Sequence, residues 1–163
     1  MKILYLHGYK ARPNEERISF LESLGHEVIA PHIDYDNEPN ILLELLEDDY
    51  DMVIGSSLGG YMGFHLSDYK SIPCVAFNPP LFMDLKVRIN FPINWEYGNL
   101  VPKKKDIVLG GEDTTVNPIR TLNWLMDNRP YVNIHFYDQM SHTIKLEEFT
   151  EVMKMVLSRY WSL

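Results

Sequence analysis

The stretch Asp51-Met52-Val53-Ile54-Gly55-Ser56-Ser57-Leu58-Gly59-Gly60-Tyr61-Met62-Gly63 decides how the rest of the chain is read. Its apolar opening, Met52–Gly55, lacks alternation, the pattern of a strand covered on both faces. A turn follows at once, and a helical stretch, Leu58–Leu66, begins inside it. In this strand–turn–helix setting, G-x-S-x-G has a physical meaning. A turn sharp enough to project the central serine strains its backbone, and side chains two residues to either side would collide. Gly55 and Gly59 occupy those two places, so the register selects Ser57 as the candidate nucleophile and leaves Ser56 as the variable residue before it. Gly60 and Gly63 let the helix approach its neighbours closely.

The same rhythm extends in both directions. Short apolar runs predict strands over Lys2–Leu6, His26–Ala30, Cys74–Phe77, Asp106–Leu109 and Asn133–Tyr137. Between them, helices are predicted over Asn14–Leu24, Asn40–Glu47, Pro118–Met126 and Lys145–Tyr160. Ile18, Leu21 and Leu24 share one face of the first, while Val152, Met155, Val156 and Trp161 mark the last. Pro118 suits a first helical turn, with Asn117 as its N-cap. Alternating strands and helices imply an α/β protein, a mostly parallel sheet of about six strands with helices on both faces. Ligands of such sheets bind outside the carboxyl ends of the strands. One segment breaks the rhythm. Residues 78–105 contain four prolines and the aromatics Phe82, Phe91, Trp95 and Tyr97, which suits either a lid or pocket wall, or an irregular connection packed on the core.

Composition sets the bounds. A chain of 163 residues, 45% hydrophobic and 23% charged, is expected to form one soluble domain over 1–163. The formal charge of −8 argues against nucleic acid or an anionic membrane as a partner. Its distribution is uneven: Ile18–Tyr69 holds eleven acids and no Lys or Arg. No run is long enough for a membrane span. The single cysteine, Cys74, excludes an internal disulfide framework and fits a cytoplasmic location.

A serine hydroxyl is a poor nucleophile until a base takes its proton, and a carboxylate must orient that base. The order Ser…Asp/Glu…His that accompanies this serine motif directs the search to the last two strands. After Asp106–Leu109 comes Gly110-Gly111-Glu112-Asp113-Thr114-Thr115-Val116, and after Asn133–Tyr137 comes Asp138-Gln139-Met140-Ser141-His142. Of six histidines, His142 alone holds the second position. Asp113 is the favoured acid, with Glu112, Asp138 and Asp84 as alternatives. An acyl intermediate also needs preplaced N–H donors for its oxyanion. His7-Gly8-Tyr9, directly after the first strand, is placed to supply one, with His7 more a structural hydrogen-bonder than a base.

Together, Leu6-His7-Gly8-Tyr9, Gly55-Ser56-Ser57-Leu58-Gly59, Gly111-Glu112-Asp113 and Ser141-His142-Thr143 resemble the α/β-hydrolase superfamily. Within it the chain resembles the small YqiA-type esterases, with a first strand near residue one and no separate cap domain. The turn Gly110…Asp113…Val116 is similar to the G-x-x-D-x-x-V turn of that fold. The resemblance implies a Ser57–His142–Asp113 triad and backbone oxyanion donors at Tyr9 and Leu58. It also implies hydrolysis of a small acyl ester with no metal or organic cofactor. Pocket walls are expected from Tyr9, Tyr61, Phe82 and Trp95. A thioesterase or amidase using the same residues, or a non-catalytic binding protein of the same fold, are the rival readings.

The remaining polar residues receive plainer expectations. His26, His32, His65 and His135 are read as strand or helix-face residues, and Cys74 as a small core residue. Lys103-Lys104-Lys105 is read as a solvated loop before a strand. No His/Asp/Glu cluster has metal-ligand spacing.

Overall fold

The protein is described by a computed structural model covering residues 1–93 and 104–160. Six strands form one parallel sheet: β1 Lys2–Leu6, β2 Glu27–Ile29, β3 Met52–Ser56, β4 Cys74–Phe77, β5 Lys105–Gly110 and β6 Asn133–Tyr137. Their order across the sheet is β2-β1-β3-β4-β5-β6, with every adjacent pair parallel. Five helices lie among the described residues: α1 Glu15–Ser23, α2 Ile41–Leu45, α3 Leu58–Lys70, α4 Pro118–Asn128 and α5 Leu146–Tyr160.

Alternation along the buried strands builds two cores. Ile3, Tyr5, Met52, Ile54, Val75 and Phe77 point to the face covered by α1 and α5, where Leu21, Phe149, Val152 and Val156 meet them. Leu4, Leu6, Val53, Cys74, Ala76, Ile107 and Leu109 point to the face covered by α2, α3 and α4. Asn14 and Asn117 cap α1 and α4, each accepting a backbone N–H from three residues ahead.

Several boundaries and roles depart from the expectation. Leu24 falls at the C-cap of α1 and is exposed, because the helix stops before it can turn that side chain inward. Trp161 lies outside the described residues. Helix α3 runs to Lys70, past the apolar stretch, because Ser67 and Asp68 are buried with partners of their own. Lys105 is not a solvated loop residue. It opens β5, is 3% exposed, and places its ammonium 2.8 Å from Asp68 and 2.8 Å from the Phe64 carbonyl. Asp106 beside it is also buried, taking hydrogen bonds from Arg159 and Tyr160 and pairing with His135 at 2.7 Å. Among the described residues no helix is long and apolar enough to cross a membrane.

The order reverses between β1 and β3, since the chain leaves β1 toward β2 and then crosses back. At such a switch point the loops leaving the two carboxyl ends diverge and open a crevice. The loops concerned are His7-Gly8-Tyr9 and the turn at Ser57.

Candidate functional site

Ser57 sits between β3 and α3 with φ 54°, ψ −121°, a left-handed region that costs a non-glycine residue about 1–3 kcal/mol. The turn is held by its flanks. A Cβ on Gly55 would run into the backbone of Gly59, and one on Gly59 into the carbonyls of Leu6 and His7. Glycine at both positions is therefore a steric requirement, as the sequence suggested. Ser57 is the N-cap of α3, yet its hydroxyl does not cap the helix. It lies 3.0 Å from His142 Nε2 instead.

His142 stands in the loop after β6, and its other ring nitrogen, Nδ1, is 2.7 Å from Asp113 Oδ2. The second oxygen of Asp113 accepts the N–H groups of Thr115 and Val116, each at 2.8 Å. The carboxylate side chain is fully buried, whereas Glu112 and Asp138 are exposed and take no part. Asp113 can only accept from Nδ1–H, which leaves Nε2 as the acceptor for the Ser57 hydroxyl. Three side chains from three loops thus form one hydrogen-bonded chain.

The first loop completes the site. Ser57 N–H donates to the Phe77 carbonyl, and neither Tyr9 N–H nor Leu58 N–H has a protein acceptor among the described residues. His7 lies beneath them, 2% exposed. Its Nε2 accepts the Ile33 N–H at 2.9 Å and its Nδ1–H donates to Gly8 O at 2.8 Å. Both bonds need the neutral ring. Burial lowers its pKa from the ordinary value, opposed by the Gly8 bond and helped by His32 stacked 5.4 Å away.

Two cavities meet at Ser57. One, of about 360 Å³, is walled by Leu58, Pro80, Met83, Leu85, Val87 and Val116. The other, of about 290 Å³, is walled by His7, Arg12, Asn14, Arg17, Ser56 and His142. Tyr9 borders both. The other expected wall residues are placed differently. Phe82 lines a neighbouring hollow with Thr114 and Arg120, its ring 4.3 Å from the Arg120 guanidinium. Tyr61, one helical turn beyond Ser57, packs into a ring cluster with His65 and Phe91. Trp95 lies outside the described residues. Residues 78–93 contain no regular element, and Leu85, Val87, Ile89 and Phe91 anchor them on the core.

Two residues of the site escaped the sequence reading. Asn78, 2% exposed with φ 47°, follows β4. Its Oδ1 accepts the Gly110 N–H at 2.8 Å, while Nδ2 donates to Ser141 O at 3.0 Å. It ties the loops bearing Asp113 and His142 together. Arg17, on the buried side of α1, donates to the Tyr5 hydroxyl and the Ile144 carbonyl. A signal existed for each: a polar residue at a strand's carboxyl end, and an arginine four residues before the buried Leu21.

A parallel six-stranded sheet with this strand order, flanked by these helices, is the α/β-hydrolase fold, and solved structures agree. The esterase Pf2001 of Pyrococcus furiosus superposes with a TM-score of 0.68 at 21% identity, covering 98% of this chain and 83% of its own. An α/β serine hydrolase without lid from Xanthomonas campestris gives 0.67 at 15%, over 99% of this chain and 83% of that one. The fluorophosphonate-binding serine hydrolase F of Staphylococcus aureus gives 0.65 at 14%, over 97% and 82%. At these identities the likeness is one of fold. The chain belongs to the uncharacterised protein family UPF0227, whose sequence profile matches residues 2–90 and so takes in Tyr9, Ser57, Leu58 and Asn78.

Proposed function

We propose that this chain is a serine hydrolase, a single-domain carboxylesterase that cleaves a small acyl ester through an acyl-enzyme. The observation that carries the reading is the chain of hydrogen bonds from Asp113 through His142 to Ser57, ending on a serine held at positive φ. Ser57 Oγ attacks the ester carbonyl as its proton passes to His142 Nε2. Asp113 holds the imidazole in the required tautomer and stabilises the imidazolium. The tetrahedral oxyanion receives the free N–H groups of Tyr9 and Leu58, each donor contributing about 10²–10³ in rate. His142 then protonates the departing alcohol, and a water activated by the same nitrogen releases the acid. The apolar cavity beside Leu58 suits the acyl chain.

The test is turnover of p-nitrophenyl esters of increasing acyl length. Wild type should give a burst of p-nitrophenol followed by steady turnover, and Ser57→Ala should give neither. Equal activity in the variant would remove the proposal.

A further inference from the structure

We propose that the alcohol portion of the substrate carries an anionic oxyacid group, carboxylate or phosphate, received by Arg17 and Arg12. This rests on the hydrolase reading and adds the substrate class. Of the two cavities at Ser57, the one walled by Arg12 and Arg17 also includes His142, and the apolar one does not. Direction follows from the proton. As the Ser57 Oγ–carbon bond forms and the ester C–O bond breaks, the proton held on His142 Nε2 must reach the leaving oxygen. The leaving alcohol therefore occupies the His142 side, and the acyl group the apolar side.

The charge of that cavity is unbalanced. Arg17 is 8% exposed, and no carboxylate among the described residues lies within ion-pair distance of it. Its partners are neutral: the Tyr5 hydroxyl at 3.2 Å, the Ser56 hydroxyl at 3.5 Å, the Ile144 carbonyl and the face of Phe149. Its Nε has no hydrogen-bond partner. A buried guanidinium without a counter-charge is unfavourable, and chains normally supply an acid for it. Here Arg12 lies exposed on the same cavity, adding a second cation, and among the described residues neither Asp nor Glu lines it. This occurs in a chain of net charge −8, with eleven acids between Ile18 and Tyr69. Arg12 also borders a neighbouring hollow that holds Asp34 and Asp36, yet neither arginine forms an ion pair among the described residues, so both are placed to meet an anion of the substrate beside the leaving-group position.

The experiment compares 4-(butyryloxy)benzoate with its uncharged methyl ester, two esters sharing one acyl group. Wild type should favour the carboxylate in kcat/KM. The carboxylate-to-neutral ratio should fall about tenfold in Arg12→Ala and in Arg17→Met, the worth of one charge-assisted hydrogen bond. Arg17→Lys should recover part of it. Phenyl phosphate should inhibit wild type more than either variant if phosphate shares the site. A ratio does not depend on how much protein is folded, and Arg12→Ala, at an exposed residue, decides the matter if Arg17→Met fails to fold. Turnover of both esters with a ratio at or below one, or unchanged in the variants, overturns the anion site alone. No turnover of either ester by folded wild type, with no p-nitrophenyl burst, removes the hydrolase reading and this proposal with it.

Discussion

Replacing Asn78 separates the holding of the site from the folding of the chain. Asn78→Ala removes the acceptor of the buried Gly110 N–H, which stands to cost about 1–3 kcal/mol. It also places alanine at φ 47°, where the left-handed region costs about 1–2 kcal/mol more. The expected loss in a urea denaturation is about 3 kcal/mol. Asn78→Gly loses the same hydrogen bonds but suits the backbone, so it should lose about 1 kcal/mol less. Both variants release the Ser141 carbonyl, and with it the loop that presents His142 to Ser57. Displacement of a catalytic group by about 1 Å can cost about 10²-fold, so kcat for a p-nitrophenyl ester should fall by about 10- to 100-fold in both, with KM little changed. The two substitutions differ in stability and agree in kcat. If kcat is unchanged in Asn78→Gly, the side chain does not position His142 and the clamp is merely structural.

Three other perturbations test the packing. Asp68→Ala strands the Lys105 ammonium in the core and should cost about 3–5 kcal/mol by urea denaturation, while Asp68→Leu with Lys105→Met should recover most of it. Burial, with Lys105 and Arg129 nearby, pushes His65 down to about 3. Between that value and 6.5 the unfolded chain holds a proton the folded one lacks, so stability is complete above pH 6.5 and falls as pH drops. His65 should contribute a loss of about 2 kcal/mol between pH 7 and pH 5 that His65→Gln abolishes, with a residual slope from His7 and His26, also lowered. Burial raises the Cys74 thiol to about 12, so a disulfide-exchange reagent at pH 8 should leave the native protein unmodified and react fully in denaturant.

Where contiguous apolar residues decide an element, the sequence located it closely. β1, β4 and β6 match their expected bounds, and the others shift by a residue or two at their ends. The serine turn was legible because its glycines answer a local steric demand. The convergence of Asp113 and His142 on Ser57 was legible because parallel topology collects the polar residues that follow strands. Long-range partnership was not. Lys105 looks like a loop cation until Asp68 arrives from α3, and Asn78 gains its role only when the loops after β5 and β6 close on it. Tyr61 and Phe82 were expected in the pocket because aromatics near a site suit its walls. Each instead found a ring or cation partner close by that covers its face.

In the proposed mechanism Ser57, activated through His142, is the nucleophile. That role is tested most directly by reacting the protein with a fluorophosphonate and locating the added mass in a peptide digest. One adduct is expected, on Ser57 and not on the adjacent Ser56, absent in Ser57→Ala and slowed by orders of magnitude in His142→Ala. Equal labelling of Ser57→Ala, or an adduct on Ser56 in the wild type, would contradict it.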